Sequence, residues 1–498
     1  MSPAFEPVDI SQPDVELVSR PTERYVPVDL SVEQAVMLAF RNNRDLRVQE
    51  LSPVTIGAFE RIERGQFDPE LFADVEYFEE RSNETSRSSG EQFDVSGDNS
   101  LAVAGVRQFI PSGTTLEAIV SQDRSISDRT PEQQTARVGL SVTQALLQGF
   151  GPAVNLASVR QAELDTLASL NELRGFAEAL LADTEIAYWR YVLAREEIAI
   201  FEESLDIAQK QLEEINLRIE VGILPPIEAA AAKAEEALRV QNLIDARSQL
   251  EDRRLRLLRL VSPSPEGNFD YQITTSSDPR LLPVPITDLQ ERLLVAEQFR
   301  PDLKEARLLL QRNRLETIVT RNGLLPKLDL FIAMGKTGYA NTFSESFHNL
   351  DGNTYDLTAG VRLSHYLGNR AARGRNLAAY SARQQAAESL ANLRQLVHLD
   401  VRLAVNEVER TRQQIDATRA TRIFQEQTLK AEQERFDVGT STSLQVAKSQ
   451  RDLLQIQIAE VEAIVDYRIA LVLLYLAEGT LLDRRGITVP ETDVITVY

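Results

Sequence analysis

"RIEVGILPPIEAA" at 218–230 closes about 65 residues with no proline and a single glycine, and 217 residues further on the chain reads "RFDVGTSTSLQVA" at 435–447. Each stretch breaks a long helical pattern at Val-Gly and then resumes one, so the chain twice runs a long helix and turns back. A helix over about 153–221 extends on the order of 100 Å at 1.5 Å per residue, more than a globular core requires. Its C-terminal part places Ile198, Phe201, Leu205, Ala208, Leu212, Ile215 and Ile219 at alternating spacings of three and four, the seam of a left-handed coiled coil. The second long helix carries a smaller, more polar seam, Val397, Val401, Ala404, Val408, Thr411, Ile415 and Thr418. The return helix after Gly439 spaces Leu444, Ala447, Arg451, Leu454, Ile458, Val461 and Val465 likewise. Return helices end at "VSPSPEGN" (261–268) and "EGT" (478–480).

The two turns belong to a wider duplication. "VEQAVMLAFRNNRDLRVQE" (32–50) aligns with "LQERLLVAEQFRPDLKEAR" (289–307) at an offset of 257, which also carries Pro69 onto Pro326 and Leu71 onto Leu328. Gly139 pairs with Gly360, and "NLA" at 155–157 with "NLA" at 376–378, at an offset of 221. The first half therefore holds an extra 36 residues between its matched segments. The expected organisation is an irregular N-terminal extension over 1–28, a first repeat over 29–268, a linker over 269–285, a second repeat over 286–480 and a tail over 481–498. Within the repeats, strands lie at about 69–146 and 326–364, long helices at about 153–221 and 371–437, and return helices at about 227–261 and 442–478.

The strands are read from alternation. Val138, Leu140 and Val142 alternate with Arg137, Gly139, Ser141 and Thr143; Leu357, Val361 and Leu363 share a face opposite Asp356, Thr358, Gly360 and Arg362. Leu328, Leu330, Ile332 and Met334 form a third apolar row. Strands of about ten residues with long polar loops at one end and helices at the other suit a membrane barrel better than a compact α+β core. "SNETSRSSGEQFDVSGDNS" (82–100) and "NTFSESFHNLDGN" (341–353) read as those loops, and 100–124 as an added hairpin turning at Pro111-Ser112-Gly113.

Composition narrows the chemistry. A net charge of −21 argues against nucleic acid as a partner. The absence of cysteine removes disulfides and thiolate chemistry. The longest apolar run, "IALVLLYLA" (469–477), is far short of the roughly 20 residues of a spanning helix. No basic segment followed by an apolar one stands at the N-terminus, so no signal peptide is visible. His348, His365 and His398 are scattered, "GNRAARGRN" lacks the spacing of a phosphate loop, and "YWRY" (188–191) reads as packing, so neither catalysis, metal nor cofactor is expected.

The twofold plan, the openings "NNRDLR" and "RPDLKEAR", the segment "GNRAARGRNLAAYSARQQA" and the two R-x-x-V-G turns resemble the TolC-like outer membrane efflux proteins over about 30–480. The resemblance implies a trimeric α/β barrel, mainly α with β, in which strands of three copies share an outer-membrane barrel, four strands from each, and helices form a periplasmic tunnel. It implies an export duct for small molecules or proteins, as in tripartite efflux and type I secretion. Its partners are outer-membrane lipid, a periplasmic adaptor and an inner-membrane pump of RND or ABC type. By the same resemblance Val221, Gly222, Val438 and Gly439 form the periplasmic tip that docks the adaptor, and Glu228, Phe436, Gln445 and Lys448 occupy aperture positions. Gln445 and Lys448 stand where relatives often carry carboxylates, and Phe436 where a tyrosine hydroxyl could bond. Val138, Leu140, Val142, Leu357, Val361 and Leu363 are the lipid-facing candidates. The alternative is a soluble coiled-coil scaffold without transport activity, which leaves the alternating strands unexplained.

Overall fold

The computed structural model describes residues 26–261 and 269–488. The N-terminal extension up to residue 25, the stop signal over 262–268 and the tail from 489 lie outside them. The described residues form two compact units, one of residues 26–47, 176–261, 269–296 and 398–488, the other of residues 48–175 and 297–397. In chain order, β1 (Val26–Leu30), α1 (Val32–Asn42) and α2 (Arg44–Gly65) precede four strands, β2 (Glu70–Thr85), β3 (Gln92–Ile110), β4 (Thr114–Ser127) and β5 (Thr130–Ala145). The short α3 (Pro152–Asn155) leads into α4 (Ala157–Glu220) and its return helix α5 (Ile227–Val261). The second half follows with β6 (Tyr271–Thr275), α6 (Leu289–Phe299), α7 (Pro301–Asn322), β7 (Lys327–Ala340), α8 (Phe343–His348) and β8 (Tyr355–Ser364). It closes with α9 (Arg370–Asp437), α10 (Ser443–Glu478) and α11 (Leu481–Arg484).

In the first unit the helical seams are buried as their spacing demands. On α9, Val397 of the second unit ends the row that Val401, Val408, Thr411, Ile415 and Thr418 continue in the first, all buried. On α4, Ala208 and Ile215 are buried and the other seam residues half-buried, between exposed charged positions. The α10 seam departs at its start: Leu444 is exposed, and Ser443, Val446 and Ser449 face inward instead. Thr442 caps this helix by accepting from the Gln445 N–H at 3.3 Å, which sets the rotation of its first turn. The linker read at 269–285 contains β6, which pairs in parallel with β1 from Val26↔Tyr271 to Leu30↔Thr275, so residues 26–28 are also strand. The "YWRY" tyrosines hold this pair: the Tyr188 hydroxyl donates to Leu30 O at 2.9 Å and the Tyr191 hydroxyl to Ile273 O at 2.7 Å. Both are buried among Trp189, Val192, Leu257 and Val465, a packing role.

The second unit is built on one antiparallel sheet of order β2-β3-β4-β5-β7-β8. Residues 100–124 join that sheet, turning at 111–113, where Gly113 has φ +87°. Strands of 10 to 19 residues replace the expected ten. Much of 82–100 is strand rather than loop, paired from Ser82↔Val95 to Thr85↔Gln92. Backbone pairing is indifferent to side-chain polarity, so the ladder continues past the apolar rows into Ser, Asn and Glu. Residues 341–353 also carry structure, α8 and a 3-10 turn at Asn349–Asp351. "GNRAARGRN" forms the strand-to-helix junction: Asn369 takes φ 42° and donates its amide to Leu324 O at 3.1 Å. Asn tolerates this left-handed conformation because its short side chain can bond locally.

Candidate functional site

The two Val-Gly turns, both in the first unit, are built alike. Gly222 and Gly439 have φ +75° and +78°, a region that costs other L-residues roughly 1–2 kcal/mol. In the first turn Gly222 N–H bonds Ile219 O at 3.0 Å, and Arg218 O accepts from Ile223 at 2.9 Å and Leu224 at 3.2 Å. In the second, Gly439 N–H bonds Phe436 O at 3.0 Å, and Arg435 O accepts from Thr440 at 2.8 Å and Ser441 at 3.2 Å. These left-handed caps satisfy carbonyls that a helix C-terminus otherwise leaves unpaired. The arginine of each R-x-x-V-G therefore supplies the capped carbonyl. The turns then diverge: Pro225-Pro226, with φ preset, leads into α5, whereas Thr442 caps α10 with its hydroxyl.

Val221 and Val438 are exposed at the two turns, with Ile223, Ile227 and Leu444 exposed beside them. Glu228 is half-buried and accepts a hydrogen bond from the Ser443 hydroxyl, joining α5 to the start of α10. Phe436 lies 5.2 Å beneath the Arg218 guanidinium, which also bonds Asp437 at 3.0 Å, joining α4 to the end of α9. The Asp437 hydrogen bond raises the Arg218 pKa against the penalty of burial, with Glu214 adding to the rise. Gln445 and Lys448 are exposed and make no side-chain bond or ion pair among the described residues. Glu228 and Phe436 thus each engage the other hairpin through partners not singled out in the sequence, Ser443 and Arg218, while Gln445 and Lys448 join neither contact.

Deeper in the same helices Glu235 pairs with Arg239 at 2.6 Å and with Arg451 of α10 at 2.8 Å. Arg239 is only 2% exposed, and its burial works to lower its pKa while Glu235 opposes the shift. An arginine in the expected apolar seam at 451 was the one sign of this cluster. Its partner Glu235 lies 216 positions away, beyond the reach of any local pattern.

The sheet of the second unit has two unlike faces. Leu71, Val106, Ala118, Leu140, Met334 and Leu357 stand opposite one another in one cross-strand row over all six strands. Neighbouring rows on that face bring Val138, Val142, Val361 and Leu363, and all of these except Val142, which is half-buried, are exposed. Along β4 the apolar stretch lies between Thr114, bonded to Gln144, and Arg124, which pairs with Glu132 at 2.8 Å and with Asp98. Ten residues rise ~33 Å along a strand, or ~25 Å of height at a tilt of about 40°, the apolar thickness of an outer-membrane barrel wall. The opposite face carries charge: Arg137 pairs with Asp356 at 2.6 Å, and Arg107 lies 3.3 Å from Glu117. No helix among the described residues is long and apolar enough to cross a membrane.

The profile of the outer membrane efflux protein family matches residues 38–262 and 294–480. The outer membrane efflux protein BepC of Brucella suis biovar 1 (strain 1330) is 24% identical over 376 residues, 74% of this chain and 77% of that protein. A membrane protein from Pseudomonas aeruginosa has a similar fold, with a TM-score of 0.68 at 20% identity over 96% of this chain and all of that one. The CmeC outer membrane channel of Campylobacter jejuni matches with a TM-score of 0.65 at 16% identity, over 90% and 86% of the two chains. The TolC-like fold, an antiparallel sheet with long helical hairpins, is common to these structures, and the chain belongs to the outer membrane efflux protein family.

Proposed function

We propose that this chain is the exit duct of an export system, with its strands in the outer membrane and its long helices in the periplasm. The observation that carries the reading is the exposed apolar row from Leu71 to Leu357, bounded by polar and charged residues at a spacing suited to a membrane. An exposed band of this extent in a water-soluble protein would promote association. Against lipid it is the stable arrangement.

Three copies would share the duct, and an adaptor would dock its hairpin ends against Val221, Gly222, Val438 and Gly439, where the turns present apolar side chains to solvent. An inner-membrane pump, of RND or ABC type, would supply the energy, and the duct itself makes and breaks no bonds. Glu228 and Phe436 hold the two hairpins of one copy together through Ser443 and Arg218 and serve as the latch of the tip. Gln445 and Lys448, exposed in the single copy, would line the aperture without a carboxylate ring. Electron microscopy of detergent-extracted protein tests the reading: a threefold hollow cylinder with one end in the micelle is expected. Rods soluble without detergent would refute it.

A further inference from the structure

The hairpin β3–β4 is inserted between β2 and β5, and three features mark it as wall rather than appendage. The apolar row passes through it without a break, at Val106 and Ala118. On the opposite face a second row runs Phe72, Gly105, Ile119, Gly139, Gly335, Asp356, with glycine on β3, β5 and β7. A Cβ added at Gly105 would meet Ala118 O at 2.6 Å and the Phe72 ring at 2.8 Å; one at Gly335 would meet Arg137 Nε and Asp356 Oδ1 at 3.0 Å. Side chains crowd where a sheet is concave, and glycine at such positions lets it bend. Gly105 carries this crowded glycine row into the inserted hairpin.

The third feature is direction. All five pairings are antiparallel, so β2 and β8, the two edges, run in opposite senses. The β8 edge of one copy can thus accept the β2 edge of the next in the same antiparallel ladder, and no parallel seam arises.

We infer that each copy contributes six strands to the membrane wall, with β2 of one copy paired to β8 of a second, and that β3–β4 sets the width of the mouth. The inference rests on the duct reading above. Three copies then close eighteen strands, at a backbone diameter of about 36 Å for a strand spacing of ~4.8 Å and a tilt of ~40°; twelve strands would close at about 24 Å. With side chains extending about 5–6 Å inward, the clear bore roughly doubles, from ~13 to ~25 Å. Such a mouth admits hydrated polymers of about twice the radius that a twelve-stranded one would pass.

The test is electron microscopy of the full chain in lipid nanodiscs, counting strands in the membrane ring, with polyethylene glycol exclusion measured from the loop side in planar bilayers. A variant lacking residues 92–127 leaves the 86–91 turn to lead from β2 into β5. Six strands per copy in the intact protein, and a polymer cut-off radius falling about twofold in the variant, are expected. A ring of four strands per copy, with 92–127 outside the wall or an unchanged cut-off, overturns the inference while leaving the duct intact. Absence of any membrane ring overturns both. Should the variant fail to fold, the strand count of the intact protein decides alone.

Discussion

Leu357 and Thr358 are chain neighbours on β8 that point to opposite faces of the sheet. Leu357 lies across from Met334 in the middle apolar row and is 62% exposed, while Thr358 faces the side that carries the Arg137–Asp356 pair. If the apolar face meets lipid, Leu357→Arg places a guanidinium near the bilayer midplane, at a cost of about 2–4 kcal/mol. That is a factor of roughly 30 to 800 in the folding equilibrium for each copy. Thr358→Arg adds the same charge to a wetted, already charged face and should cost less than about 1 kcal/mol. Leu363→Arg, three rows closer to the helical end, should fall between the two, because the penalty declines toward the interface.

The assay is urea unfolding in lipid vesicles, followed by the gel shift of the folded oligomer, with all three variants at one protein concentration. The expected order of stability is Thr358→Arg above Leu363→Arg above Leu357→Arg. Equal tolerance of Leu357→Arg and Thr358→Arg would refute the assignment of the faces. Greater damage from Thr358→Arg would reverse it.

Other variants probe the helical unit. Gly222→Ala and Gly439→Ala should each cost about 1–2 kcal/mol in thermal unfolding, purely through the backbone, since a Cβ at either position meets nothing within 4 Å; a neutral result would mean that the turns are not held left-handed. Arg485 bonds Glu185 twice, at 2.6 and 2.7 Å, and Glu185 is 1% exposed. Arg485→Met should therefore cost about 3–5 kcal/mol by stranding a buried carboxylate, and Glu185→Met in the same chain should restore much of it; denaturant midpoints of the single and double variants decide. Burial raises the Glu197 pKa above its ordinary 4.5, and Glu462 adds to the shift against Arg253 and Arg190. Its contribution to stability is then full below pH 4.5 and is lost as pH rises through the folded-state value. Unfolding midpoints from pH 4 to 7 should flatten in Glu197→Gln, and an unchanged slope would show that this carboxyl is not the source.

What the sequence disclosed follows from the range of the forces involved. The α9 seam was legible because seven residues repeat one helical spacing, and β5, β7 and β8 were legible because alternation places their apolar side chains on one face. The β1–β6 pair was not: five residues on each side are too few for a period, and their partners lie 245 positions apart. Their ordering depends on two tyrosine hydroxyls from α4, which no local pattern announces. The same holds for Ser443, an unremarkable second residue of a capped turn until folding sets its hydroxyl against Glu228.

The misreading of 82–100 shows what a strand is in this sheet. Ser96 and Asp94 have no apolar partner to recommend them, yet Ser96 donates its N–H to Asp128 at 2.7 Å and its hydroxyl to the same carboxylate at 2.8 Å. Pairing beyond the apolar rows is held by the backbone ladder and such polar clasps, so composition changes past those rows while geometry does not. A polar segment between two apolar alternating ones is thus a loop only if nothing beside it is long enough to pair with it. Here β4 supplies partners as far as Ser127, and β2 as far as Thr85. The inserted hairpin that widened the sheet is also what turned its neighbouring loop into strand.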